Sequence, residues 1–262
     1  MTDLIEERRG RVLVLTISDP ATRNALGPMV YEKGREALER ATVDPGIGAV
    51  VLTGAGDAFS SGGNLNRLAA LREGAPEAAG RGIELLHGLV RAMRGCGKPV
   101  VGAVEGVAAG AGFSVVLACD VLVAARGTRF VLAYVKVGLS PDGGATAFLA
   151  QTLPRQLAVE IAMEGGVIDA ERLHQAGIVN ALCEPGAALE TAVARAQRLA
   201  DGPAEAITSI KRLLDAAYAG GPLDAQLDRE RDAFVANLFR PAAGEGIAAF
   251  REKRRPRFHS EG

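Results

Sequence analysis

Pro99-Val100-Val101-Gly102-Ala103-Val104-Glu105-Gly106-Val107-Ala108-Ala109-Gly110-Ala111-Gly112-Phe113 is the stretch on which the fold turns. Its first six residues form an uncharged, valine-rich run of the length and composition of a buried strand. Gly110–Cys119 then reads as a short buried helix. A strand that passes through glycines into a helix leaves backbone N–H groups free at the positive end of the helix dipole. An anionic ligand atom or a developing oxyanion needs such a place. Taken alone the signal is weak, because most glycine-rich loops are only turns. Gly110-x-Gly112 also half-matches a dinucleotide fingerprint. The third glycine position holds Val115, however, and no acid follows at the end of a second strand, which sets that reading aside.

The same alternation extends outward. Val12–Ile17 reads as a buried strand paired with Leu4–Glu7 through the Arg9-Gly10 turn. Pro28 opens a helix that runs to about Ala41. Ala49–Thr53 is a second buried strand, closed by Gly54-Ala55-Gly56. Glu77–Arg94 is helical, Val121–Ala125 is a strand and Thr146–Leu153 a helix. Short strands alternating with helices predict α/β architecture with crossover connections. Beyond Ile178–Leu182 the pattern becomes helical only: Ala187–Ala200, Ala204–Ala217, Leu223–Leu238 and Glu245–Lys253, with proline breaks between them. The chain therefore divides into a core, 1–200, and a helical C-terminal region, 201–262. Residues 66–82 read as a loop without a recognisable template.

Composition narrows the function. The chain has 262 residues, 48% hydrophobic and 23% charged, an ordinary globular balance. Thirty Lys+Arg against 31 Asp+Glu give a formal charge of −1, with no basic block to follow a phosphate backbone, so nucleic acid is not an expected partner. The uncharged run Gly106–Cys119 is shorter than the roughly 20 residues a membrane span needs, and no secretory signal opens the chain. Three widely spaced cysteines (Cys96, Cys119, Cys183) fit reduced thiols in a cytoplasmic protein. Isolated His87, His174 and His259 offer no metal-binding spacing, so no metal is expected. Glycine is the anomaly: 33 residues, gathered at Gly62-Gly63, Gly106/Gly110/Gly112 and Gly143-Gly144.

Two further runs carry candidate chemistry. Ala58-Phe59-Ser60-Ser61-Gly62-Gly63-Asn64-Leu65 follows a strand and lies one residue from a nucleophile-elbow pattern, which would make Ser60 a hydrolase nucleophile. No histidine is placed as its base. Tyr134-Val135-Lys136-Val137-Gly138-Leu139-Ser140-Pro141-Asp142-Gly143-Gly144 sets one aspartate in apolar surroundings. Asp142 is then either a turn residue or helix cap, or a desolvated general base.

Taken in order, these runs resemble the crotonase (enoyl-CoA hydratase/isomerase) superfamily over nearly the whole chain. Arg23-Asn24-Ala25-Leu26 is similar to its early CoA-contacting loop. Phe59–Leu65 is similar to F-x-[AS]-G-[AG]-[DN]-L, and Lys98–Gly112 to K-P-V-I-A-A-V-x-G-x-A-x-G-[GA]-G. Glu245–Lys253 is similar to E-G-x-x-A-F-x-E-K. The resemblance implies a spiral of ββα units with a helical C-terminal layer that builds trimers, or hexamers as dimers of trimers. It also implies an acyl-CoA thioester substrate, whose enolate is held by the Ser61 and Ala111 amides, and no cofactor besides the coenzyme A of the substrate. Arg23, Ala25, Gly62, Gly63, Asn64, Leu65 and Gly110 would contact substrate, and Tyr134, Val137 and Leu139 would line the acyl pocket. Phe250 and Lys253 would reach the CoA from the C-terminal region.

The departures from the family pattern select among its reactions. The two glutamates with which family hydratases activate water fall at Ser114 and Tyr134, so both carboxylates are absent. Asp142 instead falls where enoyl-CoA isomerases, the ring-epoxide isomerases of phenylacetate breakdown and aryl-CoA dehalogenases place a catalytic aspartate. Isomerisation by an Asp142 base is the leading expectation. The alternatives are enoyl-CoA hydration, serine hydrolysis and an inert acyl-CoA-binding protein.

Overall fold

The computed structural model describes residues 2–259; Met1 and the last three residues of the expected 201–262 region lie outside the described residues. Strand β1 (Asp3–Arg9) turns at Gly10, whose φ of +59° suits glycine, into antiparallel β2 (Val12–Ser18). Val12, Leu13, Val14, Leu15 and Ile17 are all buried, so β2 is covered on both faces. It runs parallel to β3 (Ala49–Gly54), which continues through β4 (Val100–Val104) and β6 (Val121–Ala125) to β9 (Ala181–Cys183). Near-continuous apolar runs are what a parallel sheet with both faces covered requires.

The face covered by helices α1 (Pro28–Val43) and α3 (Pro76–Gly95) holds the larger part of the core, including Leu38, Leu86, Leu89 and Met93. The other face packs against α8 (Ala188–Ala200), whose Ala188, Ala192, Ala196 and Ala200 form a stripe against Val14, Val51, Val101 and Val123. The small side chains let the helix sit close. A Cβ on Gly48 would come within 2.6 Å of the Ala200 Cβ.

A second layer is built from β5 (Val107–Ala109), β7 (Arg129–Val131) and β8 (Val167–Asp169). Single bridges, Ser60 to Ala108 and Leu26 to Gly63, extend it. Each central strand thus hands the chain to this layer and then to a helix. The succession is β2, Leu26, α1, and next β3, Ser60, α2 (Leu65–Arg72) with α3. Then come β4, β5, α4 (Ala111–Leu117), and finally β6, β7, a 3-10 turn at Ala133–Val137, and α5 (Ala145–Thr152). This is the expected ββα spiral.

Several local expectations are corrected. Residues 66–82 are not an open loop: most of α2 and the first turns of α3 occupy them. Asn64 starts α2, its Oδ1 accepting from the Asn66 and Arg67 amides at 3.0 and 3.2 Å. Strands β5, β7 and β8 have three residues each, too few for a period to show. Helix α6 (Arg155–Val159) runs into a π turn at Glu160–Glu164, and α7 (Ala170–Gln175) follows. The C-terminal helices are α9 (Ala204–Tyr218), α10 (Leu223–Leu238) and α11 (Pro241–Arg251). Helix α11 begins four residues earlier than expected, with Pro241 in its first turn, and stops before Lys253, which has φ +54°. Among the described residues no helix is long and apolar enough to cross a membrane.

Candidate functional site

The two glycine-containing runs meet back to back. Ser60 bridges Ala108, with the Ser60 amide donating to the Val107 carbonyl at 3.1 Å and the Ala109 amide to the Ser60 carbonyl at 2.9 Å. Glycine is required where they touch. Gly62 has φ +91°, and a Cβ there would stand 2.6 Å from the Ala109 carbonyl oxygen. A Cβ on Gly112 would stand 2.8 Å from the Ser60 Cβ.

Gly110, with φ +49°, turns the chain into α4, and Ala111 is its first residue with an ordinary φ, so its methyl costs no backbone strain. The Phe113 and Ser114 amides return to the Gly110 carbonyl at 3.0 and 3.1 Å. The Ala111 and Gly112 amides have no acceptor among the described residues, as expected of a first helical turn.

The Ser61 amide differs: it donates to the Arg23 carbonyl at 2.9 Å. Arg23 and the buried Asn24 adopt left-handed conformations, φ +53° and +61°. Asn24 fixes this loop, accepting from the Asp19 amide and donating to the Ala55 and Ala58 carbonyls. The Ser61 hydroxyl donates to the Thr22 carbonyl, and the Leu26 amide to the Gly62 carbonyl. Arg23, Ala25 and Ser61 to Gly63 are therefore one assembly. Asn64 and Leu65 continue it into α2, with the Asn64 side chain spent as a helix cap and Leu65 exposed.

Beside α4 stands a polar relay. The Tyr134 hydroxyl donates to Asp142 Oδ1 at 2.5 Å, and the Ser114 Oγ lies 3.2 Å from the Tyr134 oxygen. Burial and then the neighbouring Asp142 carboxylate push the Tyr134 phenol above its ordinary range, so it keeps its proton. Gly143, at φ +61°, lets the Asp142 turn press on α4, since a Cβ there would meet the Ser114 Cβ at 2.9 Å. Val137 and Leu139, on the same segment, are half exposed.

Tyr31, which the sequence reading passed over, belongs to this neighbourhood. Burial and then Asp142 raise its phenol, while Arg67 on α2 acts in the opposite sense. The only sequence signal was a tyrosine on the buried face of an ordinary amphipathic helix. Phe250 and Lys253 are at the far end of the chain: α11 packs on α10, Phe250 is 87% exposed, and Lys253 lies beyond the helix end. A cleft of about 390 Å³ beneath α9, lined by Asp120, Lys211 and Tyr218 among others, contains none of the candidate residues.

The hydrolase alternative does not survive. Ser60 is fully buried, its Oγ donates to the Asn24 carbonyl at 2.7 Å and accepts from the Gly62 amide, and no histidine bonds to it. His174 faces the Val179 carbonyl, His259 the Gly202 carbonyl and His87 the Glu84 carboxylate.

Comparison with known proteins supplies the wider context. A family model described as enoyl-CoA hydratase/isomerase matches residues 7–261. The chain is 34% identical to the 1,2-epoxyphenylacetyl-CoA isomerase of Escherichia coli K12, covering 94% of each chain. It is 33% identical to the 2,3-dehydroadipyl-CoA hydratase of the same organism, over 98% of this chain and 99% of that one. Among solved structures, an enoyl-CoA hydratase from Polaromonas sp. JS666 superposes with a TM-score of 0.96 at 48% identity. It covers 98% of this chain and all of the other.

Proposed function

Because the chain belongs to the enoyl-CoA hydratase/isomerase family, we propose that it isomerises an enoyl-CoA, or a related ring or epoxide acyl-CoA, with Asp142 as the base. The carboxylate removes a proton from the carbon adjacent to the thioester. The electron pair moves onto the thioester oxygen, and protonated Asp142 returns the proton to the far carbon of the resulting dienolate. The double bond is displaced and nothing is gained or lost.

One observation carries this reading. The two side chains at the positions of the family's hydratase glutamates, Ser114 and Tyr134, are neutral hydroxyls engaged with each other, and Tyr134 donates to Asp142. The carboxylate at this point of the site is therefore Asp142, with no second carboxylate on the relay to share the activation of water. A general acid–base group contributes about 10²–10⁴-fold, so Asp142→Asn lowers the isomerisation rate by about that factor.

The enolate oxygen is received by the Ala111 and Ser61 amides, where one donor is worth about 2.7–4 kcal/mol. The Ala111 amide is open. At Ser61 the thioester oxygen replaces, or shares the amide with, the Arg23 carbonyl. The assembly from Arg23 to Leu65 and Gly110 carries the CoA side of the substrate, and Tyr134, Val137 and Leu139 the acyl side. The assembly is a homotrimer, or a pair of trimers. The exposed apolar side chains of α10 and α11, among them Leu223, Phe234 and Phe250, support that state. In it Phe250 and Lys253 meet the CoA across a subunit boundary.

Hydration is the second reading, favoured by relatives bearing hydratase names. The two readings separate on two substrates. A 3-enoyl-CoA gains conjugated absorbance with the protein present, and crotonyl-CoA keeps it. Rapid loss of crotonyl-CoA absorbance makes the protein a hydratase. An Asp142→Asn variant with full rate removes the proposed base. CoA-ester binding without solvent deuterium entering the acyl group leaves a binding protein.

A further inference from the structure

We propose that Tyr134 is the positioning residue of the Asp142 base, a tether that fixes the carboxylate relative to the oxyanion-binding end of α4. The inference rests on the reading of Asp142 given above and adds a residue to it.

A carboxylate has two oxygens of equal basicity, and a base that can rotate has no fixed direction of attack. Here Asp142 Oδ1 is held by the Tyr134 hydroxyl at 2.5 Å. Among the described residues, Oδ2 receives no hydrogen bond, so the relay leaves one oxygen as the proton acceptor. The tether continues beyond the tyrosine. Ser114 Oγ lies 3.2 Å from the Tyr134 oxygen and 3.4 Å from the Gly110 carbonyl. Ser114 is fully buried and sits one helical turn after Ala111. Helix α4 therefore carries the open amide at its first residue and the anchor of the base three residues later. Base and amide are held on one rigid element, which is how reacting groups gain effective molarity.

The tyrosine suits this role and not that of an acid. With its phenol raised by burial and by Asp142, it donates a hydrogen bond without releasing the proton. Its own segment is fixed by the Leu139 amide, which donates to the Tyr134 carbonyl at 3.0 Å. The Asp142 carboxylate acts on two phenols, that of Tyr134 in the 3-10 turn and that of Tyr31 on α1. Arg67, from α2, acts on Tyr31. Helix α4 contributes only the non-ionising Ser114, and α5 follows Gly144 with Ala145, Thr146 and Phe148.

The test is Tyr134→Phe in the full-length protein, with kcat and KM measured on a 3-enoyl-CoA. With one anchor gone, kcat falls about tenfold and KM stays within a factor of about two. Ser114→Ala, which leaves the ring in place, lowers kcat by less and leaves KM equally unmoved. A Tyr134→Phe enzyme with the parent kcat, or one whose loss falls on KM, overturns the proposal. If that variant does not fold, Ser114→Ala decides, an unchanged kcat being the refuting result. Asp142→Asn is run beside them. Full activity there defeats the assignment of the base itself. An inactive Asp142→Asn together with an unchanged Tyr134→Phe defeats only the tether.

Discussion

Replacing Gly62 by alanine tests whether the back-to-back contact of the two loops governs the chemistry. Two costs can be worked out from the geometry. At φ +91° an L-residue is strained by about 1–2 kcal/mol. The new Cβ would also stand 2.6 Å from the Ala109 carbonyl oxygen, about 0.4 Å inside the 3.0 Å that real Cβ atoms keep. Neither neighbour is a flexible side chain, so backbone must move, an overpacking cost of about 1–3 kcal/mol. Gly56→Ala is the matched control, with φ +75° and no atom within 4 Å of its Cβ. It incurs the backbone strain alone. The displaced atoms belong to the residue two before Ala111, so the contact cost has a catalytic counterpart. A misplacement of 1 Å costs about 10²-fold, and about 0.4 Å scaled in the logarithm costs roughly sixfold. Urea unfolding and kcat on a 3-enoyl-CoA are the assays. Gly62→Ala loses more stability than Gly56→Ala and about sixfold in kcat, while Gly56→Ala keeps its kcat. Equal stability losses, or an unchanged Gly62→Ala rate, would refute the argument that these loops position the amides.

Two other outcomes follow from the C-terminal helices. Lys211 on α9 is 9% exposed and bonds Asp120 at 2.7 Å and the Met93 carbonyl at 2.8 Å. Its replacement by methionine leaves a mostly buried carboxylate with only Arg94 at 3.7 Å and the Val100 amide. Unfolding in urea should show a loss of about 3 kcal/mol. Glu245 on α11 accepts from Arg254 and from the Arg257 amide, which hold its carboxyl at about 2 against the ordinary 4.5. A carboxylate pKa depressed by folding stabilises fully above the ordinary value, and that stabilisation is lost as pH falls through about 2. Hydrogen exchange at the Arg257 amide is accordingly protected at pH 3 and released near pH 2, whereas Glu245→Gln releases it at both. Release already at the ordinary carboxylate value would contradict the ion pair.

The parts of the fold legible in the sequence are those with enough residues to show a period. Val12–Ile17 and Ala49–Thr53 read as buried strands, and Glu77–Arg94 as a helix, because burial on a sheet or helix imposes composition over several positions. Strands β5 and β7 escaped because a three-residue pairing is imposed by the neighbouring turn of the spiral and leaves no local trace. Residues 66–82 escaped for another reason. Asn64 falls within the run that resembles a family motif, which hides that its side chain caps α2. The candidate site divides similarly. Glycines at 62, 112 and 143 announce close approach, and the distances bear this out, whereas Gly110 answers to its φ of +49°. The hydrogen bond from the Ser61 amide to Arg23 depends on left-handed Arg23 and Asn24, which composition does not reveal. The Tyr134–Asp142 bond joins residues eight apart across an irregular turn, where no periodicity operates.

The winding of the chain separates two tasks. Under the proposed function, turns ending at Ser60 and β5 supply the amides, and Gly62 and Gly112 there tolerate no added atom. The helical excursion from Leu65 to Gly95 leaves from the same turn but packs by ordinary side-chain contacts, and α2 has no fully buried residue. Drift in sequence can therefore reshape the excursion, and under the proposed function the space offered to an acyl group, while the part proposed to receive charge stays as it is. Such a scaffold can exchange one thioester for another without having to reinvent how it stabilises negative charge.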